Sequence, residues 1–246
     1  MKLLFVDIET APNLATVWGL YDQNIALNQL IKPGYTLCWA AKWHGEKDLA
    51  FSSILDGPKS MVRRIHKLLC KADAICHYNG NKFDIPTLNK EFMMLGMNPP
   101  TPTKQIDLLE TARRRFRLAS NKLDFVAQSL GLGGKLPHKG HELWLECMAK
   151  KREAFKTMEA YNKQDVLLLE KVYDRLLPWI DRHPNRSVMD DTFCCPKCGG
   201  KHYQQRGLVV QLTGRYRRYS CQDCGTWFRL NIREQSSQRS KAIQVF

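Results

Sequence analysis

Four acidic residues and one tyrosine are the side chains in this sequence whose types and spacing suggest chemistry. Asp7 and Glu9 are two positions apart in the stretch 3–10, whose apolar run predicts a buried β-strand, so both carboxylates point to the same face. Adjacent carboxylates are costly to desolvate unless a cation neutralises them or one of them is protonated. Hard divalent cations such as Mg²⁺ and Mn²⁺ prefer such oxygen ligands. A strand-end turn with two solvated acids is the alternative interpretation.

The remaining residues of this group follow a second strand and lie in a late helix. Asp84 comes after the predicted strand 74–78, where it could instead cap the next helix. Tyr161 and Asp165 are four positions apart in a predicted helix and share a face, although a surface aspartate and a half-buried aromatic residue are the alternatives. Converging acids could hold two ions about 3.5–4 Å apart, which activate water and stabilise the leaving oxygen of a phosphodiester. Tyr161 could then hold the attacking water in line.

The ordered set of segments resembles the DEDDy branch of the DnaQ-like 3′→5′ exonucleases, within the ribonuclease H-like fold. The segments that carry the resemblance are Asp7-x-Glu9, Tyr78-Asn79 with Phe83-Asp84-Ile85-Pro86, Asp107-Leu108-Leu109, Leu123-Asp124-Phe125-Val126-Ala127 and Tyr161-x-x-x-Asp165. The resemblance covers about residues 1–177 and is nearest to the proofreading exonuclease domain of family B DNA polymerases. A sister branch has histidine five positions before the last aspartate, where this chain has Ala160, so the tyrosine branch is implied.

The resemblance implies an exonuclease that hydrolyses phosphodiester bonds from 3′ ends, with single-stranded DNA as the favoured substrate. Four acids would bind two Mg²⁺ or Mn²⁺ ions, and Tyr161 would position the nucleophilic water. These acids are Asp7, Glu9, Asp84 and Asp165. Three further residues would contact the 3′-terminal nucleotides, namely Thr10, Asn79 and Phe83. Since no polymerase domain follows in the sequence, we expect a stand-alone enzyme, whose partner could be a replication or repair protein.

Two other functions stay open at this point. Two-metal phosphoryl chemistry does not itself choose the sugar, so a ribonuclease of the same fold is one alternative. A non-catalytic adaptor that binds nucleic acid is the other. The complete set of acids argues against the adaptor, because a decayed site would more often have lost one of them.

Five cysteines crowd into residues 194–224, and four of them form two C-x-x-C-G sequences. These four are Cys195, Cys198, Cys221 and Cys224. Each short turn can supply two thiolates to one tetrahedral Zn²⁺, and a hairpin predicted over 208–220 would complete a zinc ribbon that is too small to fold without its metal. Cys194 could replace Cys195, and His202 is a weaker substitute. Disulfides and free thiols are the alternatives to a zinc site.

The charge of the chain favours a polyanionic partner. The formal net charge is +14, and the part of the chain after residue 180 is the more densely basic one. Its arginines stand among aromatic residues, a pattern that suits phosphate contact and base stacking, with an ordinary solvated ribbon or a protein-docking module as the alternative. The basic run 113–117 could line a substrate groove or form the exposed face of a helix.

The hydrophobic pattern predicts an α/β domain on a mixed five-stranded sheet flanked by helices, and the cysteine spacing predicts a small zinc-ribbon β domain after it. The resemblance implies that the sheet has the ribonuclease H-like fold. The predicted boundaries are 1–180 for the exonuclease domain, 181–192 for a linker, 193–232 for the ribbon and 233–246 for a disordered tail. The segment 11–35 is predicted to be irregular and to form a flap beside the first acids. No stretch approaches the ~20 apolar residues of a membrane span, and the short apolar start is interrupted too early for a signal peptide. We therefore expect a cytoplasmic protein of a reducing compartment.

Overall fold

The computed structural model describes residues 1–137 and 139–234, which form two compact units. The first runs from Lys2 to Asp174, and the second comprises Arg175 onward together with Met1. Across these described ranges, no helix is both long enough and apolar enough to cross a membrane. Of the tail predicted over 233–246, residues 233 and 234 are described, and Arg233 is the last residue of a strand; the rest lies outside the described residues.

The first unit is built on a mixed sheet. Its strands are β1 (Leu3–Thr10), β2 (Leu14–Ala15), β3 (Leu30–Lys32), β4 (Thr36–Trp43), β5 (Leu49–Ser53), β6 (Ala74–His77) and β7 (Lys104–Asp107). Its helices are α1 (Pro58–Leu69), α2 (Asp84–Met94), α3 (Leu108–Arg115), α4 (Leu123–Ser129), α5 (His141–Met148) and α6 (Arg152–Leu176), of which α6 ends two residues past the unit boundary. Five strands form one sheet in the order β5-β4-β1-β6-β7. The predicted mixed five-stranded sheet is confirmed.

Strand β1 is the centre of this sheet. It pairs antiparallel with β4 and parallel with β6. Residues 3–6 are buried on both faces, which explains why the sequence shows a continuous apolar run there instead of an alternating one. The parallel pairing with β6 ends at Phe5, so Asp7 stands just beyond it, at the carboxyl end of the strand. The sheet thereby places the first two acids at the carboxyl end of its central strand, beyond the pairing with β6.

Two features of the first unit differ from the sequence prediction, namely the end of one strand and the structure of one long connection. The sequence pattern at 105–109 predicts a strand through Leu109, but the strand ends at Asp107, because the side chain of Asp107 accepts a hydrogen bond from the amide of Leu109 (3.0 Å) and caps α3. The segment 11–35 is not wholly irregular, since β2 and β3 form a short antiparallel pair within it.

The second unit contains a three-stranded antiparallel sheet. Its strands are β8 (Tyr203–Gln211), β9 (Gly214–Cys221) and β10 (Trp227–Arg233), in the order β10-β9-β8. Strands β8 and β9 are the predicted hairpin, while β10 was not predicted. The segment predicted as a linker contains the short helix α7 (Arg186–Met189), and the amide of Arg186 donates to the carbonyl of Pro196 (2.9 Å). This bond ties the segment to the first cysteine turn.

Replacing Asp107 tests the origin of the β7–α3 boundary. This carboxylate is buried and accepts hydrogen bonds from the amides of Leu109 (3.0 Å), Asn79 (2.8 Å) and Asn81 (3.3 Å). We expect Asp107→Ala to lower the free energy of unfolding by about 2–3 kcal/mol, since three amides lose their acceptor. Urea denaturation measures this, with the exposed Asp48→Ala as the control. Equal stabilities of the two variants would contradict the capping role.

Candidate active site and metal centres

Three carboxylates meet at the carboxyl end of β1. Asp7 and Glu9 come from β1 and Asp165 from α6, and one oxygen of each lies within 4.8 Å of the others. The alternation of the strand directs the first two to one face, and the apolar residues of α6 pack that helix against the same region. We call these three residues the acidic triad.

Asp84 adjoins the acidic triad through the backbone of β1. It is the first residue of α2 and is almost fully buried, and its Oδ1 accepts a hydrogen bond from the amide of Ile8 (3.1 Å). Capping was the alternative for Asp84, but Phe83 holds the N-cap position and no side chain caps the helix. The fourth acid is therefore fixed against the backbone of β1, but it is not part of the cluster of three carboxylates.

Burial and mutual repulsion shift the pKa values of these acids upward. Burial, followed by repulsion from Asp84 and Glu9, raises the pKa of Asp7 well above its usual value. Burial is also the main cause that raises the pKa of Glu9 and that of Asp84, each to about 7. Within the described part of the chain, Asp165 Oδ1 is a buried oxygen with no hydrogen-bond partner. An oxygen-only donor set that contains such an atom fits a hard divalent cation.

Lys135 is a member of the site that the sequence analysis did not find. Its ammonium contacts Asp165 Oδ2 and donates to the hydroxyl of Tyr161 (2.9 Å). Its positive charge lowers the pKa values of Asp7 and Glu9, which opposes the effect of burial. The loop that carries it is held by Asp124, whose Oδ1 accepts from the Lys135 amide (2.8 Å). The one available signal in the sequence was its place directly after a glycine-rich turn.

Two neighbouring residues of α6 support the acidic triad. Tyr161 is buried, and burial raises its pKa to about 12, so its hydroxyl keeps its proton near neutral pH. Asn162 is fully buried, and its Nδ2 donates to Asp7 Oδ2 (2.6 Å). The sequence analysis did not select Asn162, because no spacing rule distinguishes it from its helical neighbours.

A groove of about 590 Å³ opens beside the acidic triad. Its lining includes Asp7, Asn79, Arg113, Lys122 and Lys135. Arg113 belongs to the basic run, so that run contributes at least one cation to the groove. Of the three residues expected to contact nucleotides, Asn79 lines this groove, whereas Thr10 and Phe83 are not among its lining residues.

The second unit brings four thiols together. The Sγ atoms of Cys195, Cys198, Cys221 and Cys224 lie within 4.8 Å of one another, and this cluster contains neither Cys194 nor His202. Two of the Sγ–Sγ distances are 3.7 and 3.6 Å. A tetrahedral ion with metal–sulfur bonds of about 2.3 Å needs sulfurs about 3.8 Å apart, so the cluster fits Zn²⁺. The hydrogen bond between Cys195 and Cys224 lowers the pKa of Cys224 to about 4 and raises the pKa of Cys195, so Cys224 is the thiolate of that pair.

Comparison with known proteins agrees with this architecture. The model of the RNase_H superfamily matches residues 4–177. Among solved structures, the chain is similar to the family B DNA polymerase from the hyperthermophilic archaeon Pyrobaculum calidifontis, with a TM-score of 0.54 and 19% sequence identity. The likeness covers 72% of this chain and 24% of that polymerase, so this chain spans only a small part of the length of the polymerase. No curated protein matches the sequence.

The raised pKa of Glu9 predicts a pH-dependent stability of the protein freed of Mg²⁺ and Mn²⁺. The pKa of the Glu9 carboxyl is ordinarily 4.5 and about 7 in the folded protein, so the folded state favours its protonated form. The contribution of Glu9 to the free energy of unfolding is therefore fully present below pH 4.5 and is lost as the pH rises through about 7. We expect Glu9→Gln to avoid this loss, so that its free energy of unfolding at pH 8 exceeds that of the wild type by about 2 kcal/mol. Urea denaturation at pH 5 and pH 8 measures this, with the exposed Glu153→Gln as the control. A difference that does not change with pH would exclude the electrostatic explanation.

Removal of one cysteine tests the four-thiol cluster. We expect Cys198→Ser to lose bound zinc and the near-ultraviolet circular dichroism of the ribbon aromatics, because a β domain of this size needs a metal to fold. Cys194→Ser, which changes a buried thiol outside the cluster, is expected to retain one zinc per chain. Metal analysis by mass spectrometry measures both. Equal zinc content in the two variants would contradict the assignment.

Proposed function

Because the chain belongs to the ribonuclease H superfamily, we propose that it is a metal-dependent exonuclease that removes nucleotides from the 3′ ends of single-stranded DNA. The single observation that carries this proposal is the acidic triad, in which oxygens of Asp7, Glu9 and Asp165 lie within 4.8 Å of one another. Residues far apart in the sequence supply these carboxylates to one point. A cluster of buried acids is unfavourable by itself and becomes favourable when it binds cations.

The four acids would hold two Mg²⁺ or Mn²⁺ ions. The acidic triad would bind one ion, and Asp7 together with Asp84 would bind the second. When bound, the ions supply activation of water and stabilisation of the charge that develops on the scissile phosphate. Asn162 holds the Asp7 carboxylate through its 2.6 Å hydrogen bond, which supports a fixed geometry at the shared ligand.

Tyr161 and Lys135 act on the water and the phosphate. The Tyr161 hydroxyl keeps its proton, since burial raises its pKa to about 12, so it orients the attacking water by hydrogen bonding and does not remove a proton from it. Lys135, 2.9 Å from this hydroxyl, fixes its position and adds positive charge beside the groove. The same ammonium contacts Asp165, so it stabilises the negatively charged form of that acid.

The groove beside the acids supports a nucleic-acid substrate. Arg113 and Lys122 supply cations for phosphates, and Tyr78 supplies a ring for a base. The direction of hydrolysis and the preference for DNA rest on the resemblance of the motifs around Asp7, Asp84 and Asp165 to proofreading exonucleases. The ribbon, with its excess of arginine, would add to the affinity for nucleic acid.

An oligonucleotide assay tests this proposal. The zinc-loaded protein is incubated with 3′- or 5′-labelled DNA and RNA strands, with Mg²⁺, with Mn²⁺ or with neither ion. We expect single nucleotides to be released from 3′ ends of DNA only when an ion is added. Release from RNA alone would support the ribonuclease alternative, and binding without any release would support the adaptor.

A matched pair of variants on α6 connects the activity to the site. We expect Asp165→Asn to lower the rate of hydrolysis by about 10³-fold or more, because it removes a ligand of the ion that stabilises the transition state. Asp174→Asn changes an exposed acid on the same helix and is expected to leave the rate unchanged. Retained activity in pure, folded Asp165→Asn would refute the site assignment.

A further inference from the structure

The two faces of the ribbon sheet differ in their packing. On one face, Tyr203, Tyr219 and Phe228 pack together and against Phe193. The ring centroids of Phe193 and Tyr203 are 4.9 Å apart, and those of Tyr219 and Phe228 are 5.5 Å apart. Phe193 thus covers this face, which forms the small core of the ribbon.

The opposite face carries arginines in contact with aromatic rings. Trp227 pairs with Ser220, and Arg229 pairs with Arg218, so these side chains share one face of the β9–β10 ladder. The guanidinium of Arg218 lies 5.3 Å from the Trp227 ring centroid, and that of Arg229 lies 4.2 Å from the Tyr216 ring centroid. We call Tyr216, Arg218, Trp227 and Arg229 the cation–aromatic face.

This face presents an exposed ring and uncompensated positive charge. The side chain of Trp227 is 59% exposed, although tryptophan is among the side chains with the most apolar surface to bury. Residues 193–234 contain eight basic and two acidic side chains. Asp223 pairs with His202 (3.0 Å) and Glu234 with Arg217 (2.6 Å), so both acids are engaged with other partners.

We infer that the cation–aromatic face binds single-stranded nucleic acid, with a base stacked on Trp227 and phosphates held by Arg218 and Arg229. The inference rests on the proposed function, in which the ribbon adds to nucleic-acid affinity, and it specifies the face and the form of the substrate. Unpaired bases offer a free π-face, whereas the bases of a duplex are already stacked on one another. A docked protein would use Trp227 as an apolar anchor, and its binding would depend little on the phosphate-directed charge of the arginines.

Binding to a labelled oligothymidylate tests the inference. Fluorescence anisotropy is measured with the full-length, zinc-loaded protein in buffer free of Mg²⁺ and Mn²⁺, so that no strand is cut. We expect Trp227→Ala to weaken binding about tenfold, and Trp227→Phe to restore most of it, because an aromatic ring suffices for stacking. Arg218→Ala is expected to weaken binding and to reduce the dependence of log affinity on log salt by about one phosphate contact.

Arg217 provides a matched control for Arg218. The two residues are adjacent on β9, both are exposed, and Arg217 points to the other face, where it pairs with Glu234. We expect Arg217→Ala to change the affinity less than twofold. Equal losses for the two arginine variants, or wild-type affinity of Trp227→Ala, would overturn the inference. An equal loss on duplex DNA would overturn the preference for single strands. The zinc content of each variant is measured to confirm that its ribbon is folded. If Trp227→Ala loses its metal, the comparison of Arg218→Ala with Arg217→Ala tests the inference instead.

The outcome is independent of the catalytic proposal. Wild-type protein that degrades strands, with variants that all bind normally, would remove this inference and leave the exonuclease in place. If the wild-type protein degrades no strand but the variants lose affinity for single strands, the exonuclease proposal fails and this inference stands.

Discussion

Repulsion among carboxylates at the carboxyl end of β1 is the constraint that explains the surroundings of the site. Burial is the main cause that raises the pKa values of Asp7 and Glu9, and repulsion from Asp84 and Asp165 adds to both shifts. The neighbouring groups reduce this repulsion. Lys135 brings a positive charge, Asn162 donates to Asp7, and the amide of Ile8 donates to Asp84. These contacts explain why the acids stay in place, and the remaining negative charge fits a divalent cation.

Most of the site could be predicted from sequence because its signals are local. A D-x-E pair at the end of an apolar strand, a tyrosine and an aspartate one helical turn apart, and two C-x-x-C-G turns can each be recognised within a few residues. The ordering of these patterns also indicated the family, whose model matches residues 4–177, and the mixed five-stranded sheet.

The features that were missed depend on contacts across the fold. Lys135 and Asn162 have no distinguishing pattern in sequence, and they became visible only when the Lys135 loop and α6 were placed beside β1. The end of β7 was misplaced because Leu108 and Leu109 continue its apolar run, while the cap at Asp107 depends on the side-chain conformation. The third ribbon strand was missed because Trp227 and Arg229 face one way and Phe228 the other, which gives no simple polar alternation.

The contribution of α6 to the site has a consequence for the synthesis of the protein. The hydrogen bond between Asn162 and Asp7 joins positions 155 apart in the chain, and Asp165 lies further still. A nascent polypeptide that has left the ribosome only as far as α5 already contains β1 and its two acids, but it lacks Asp165, the third carboxylate of the acidic triad. Unfinished translation products and fragments cleaved before α6 therefore lack Asp165, and the three carboxylates can meet only after nearly the whole first unit has been made.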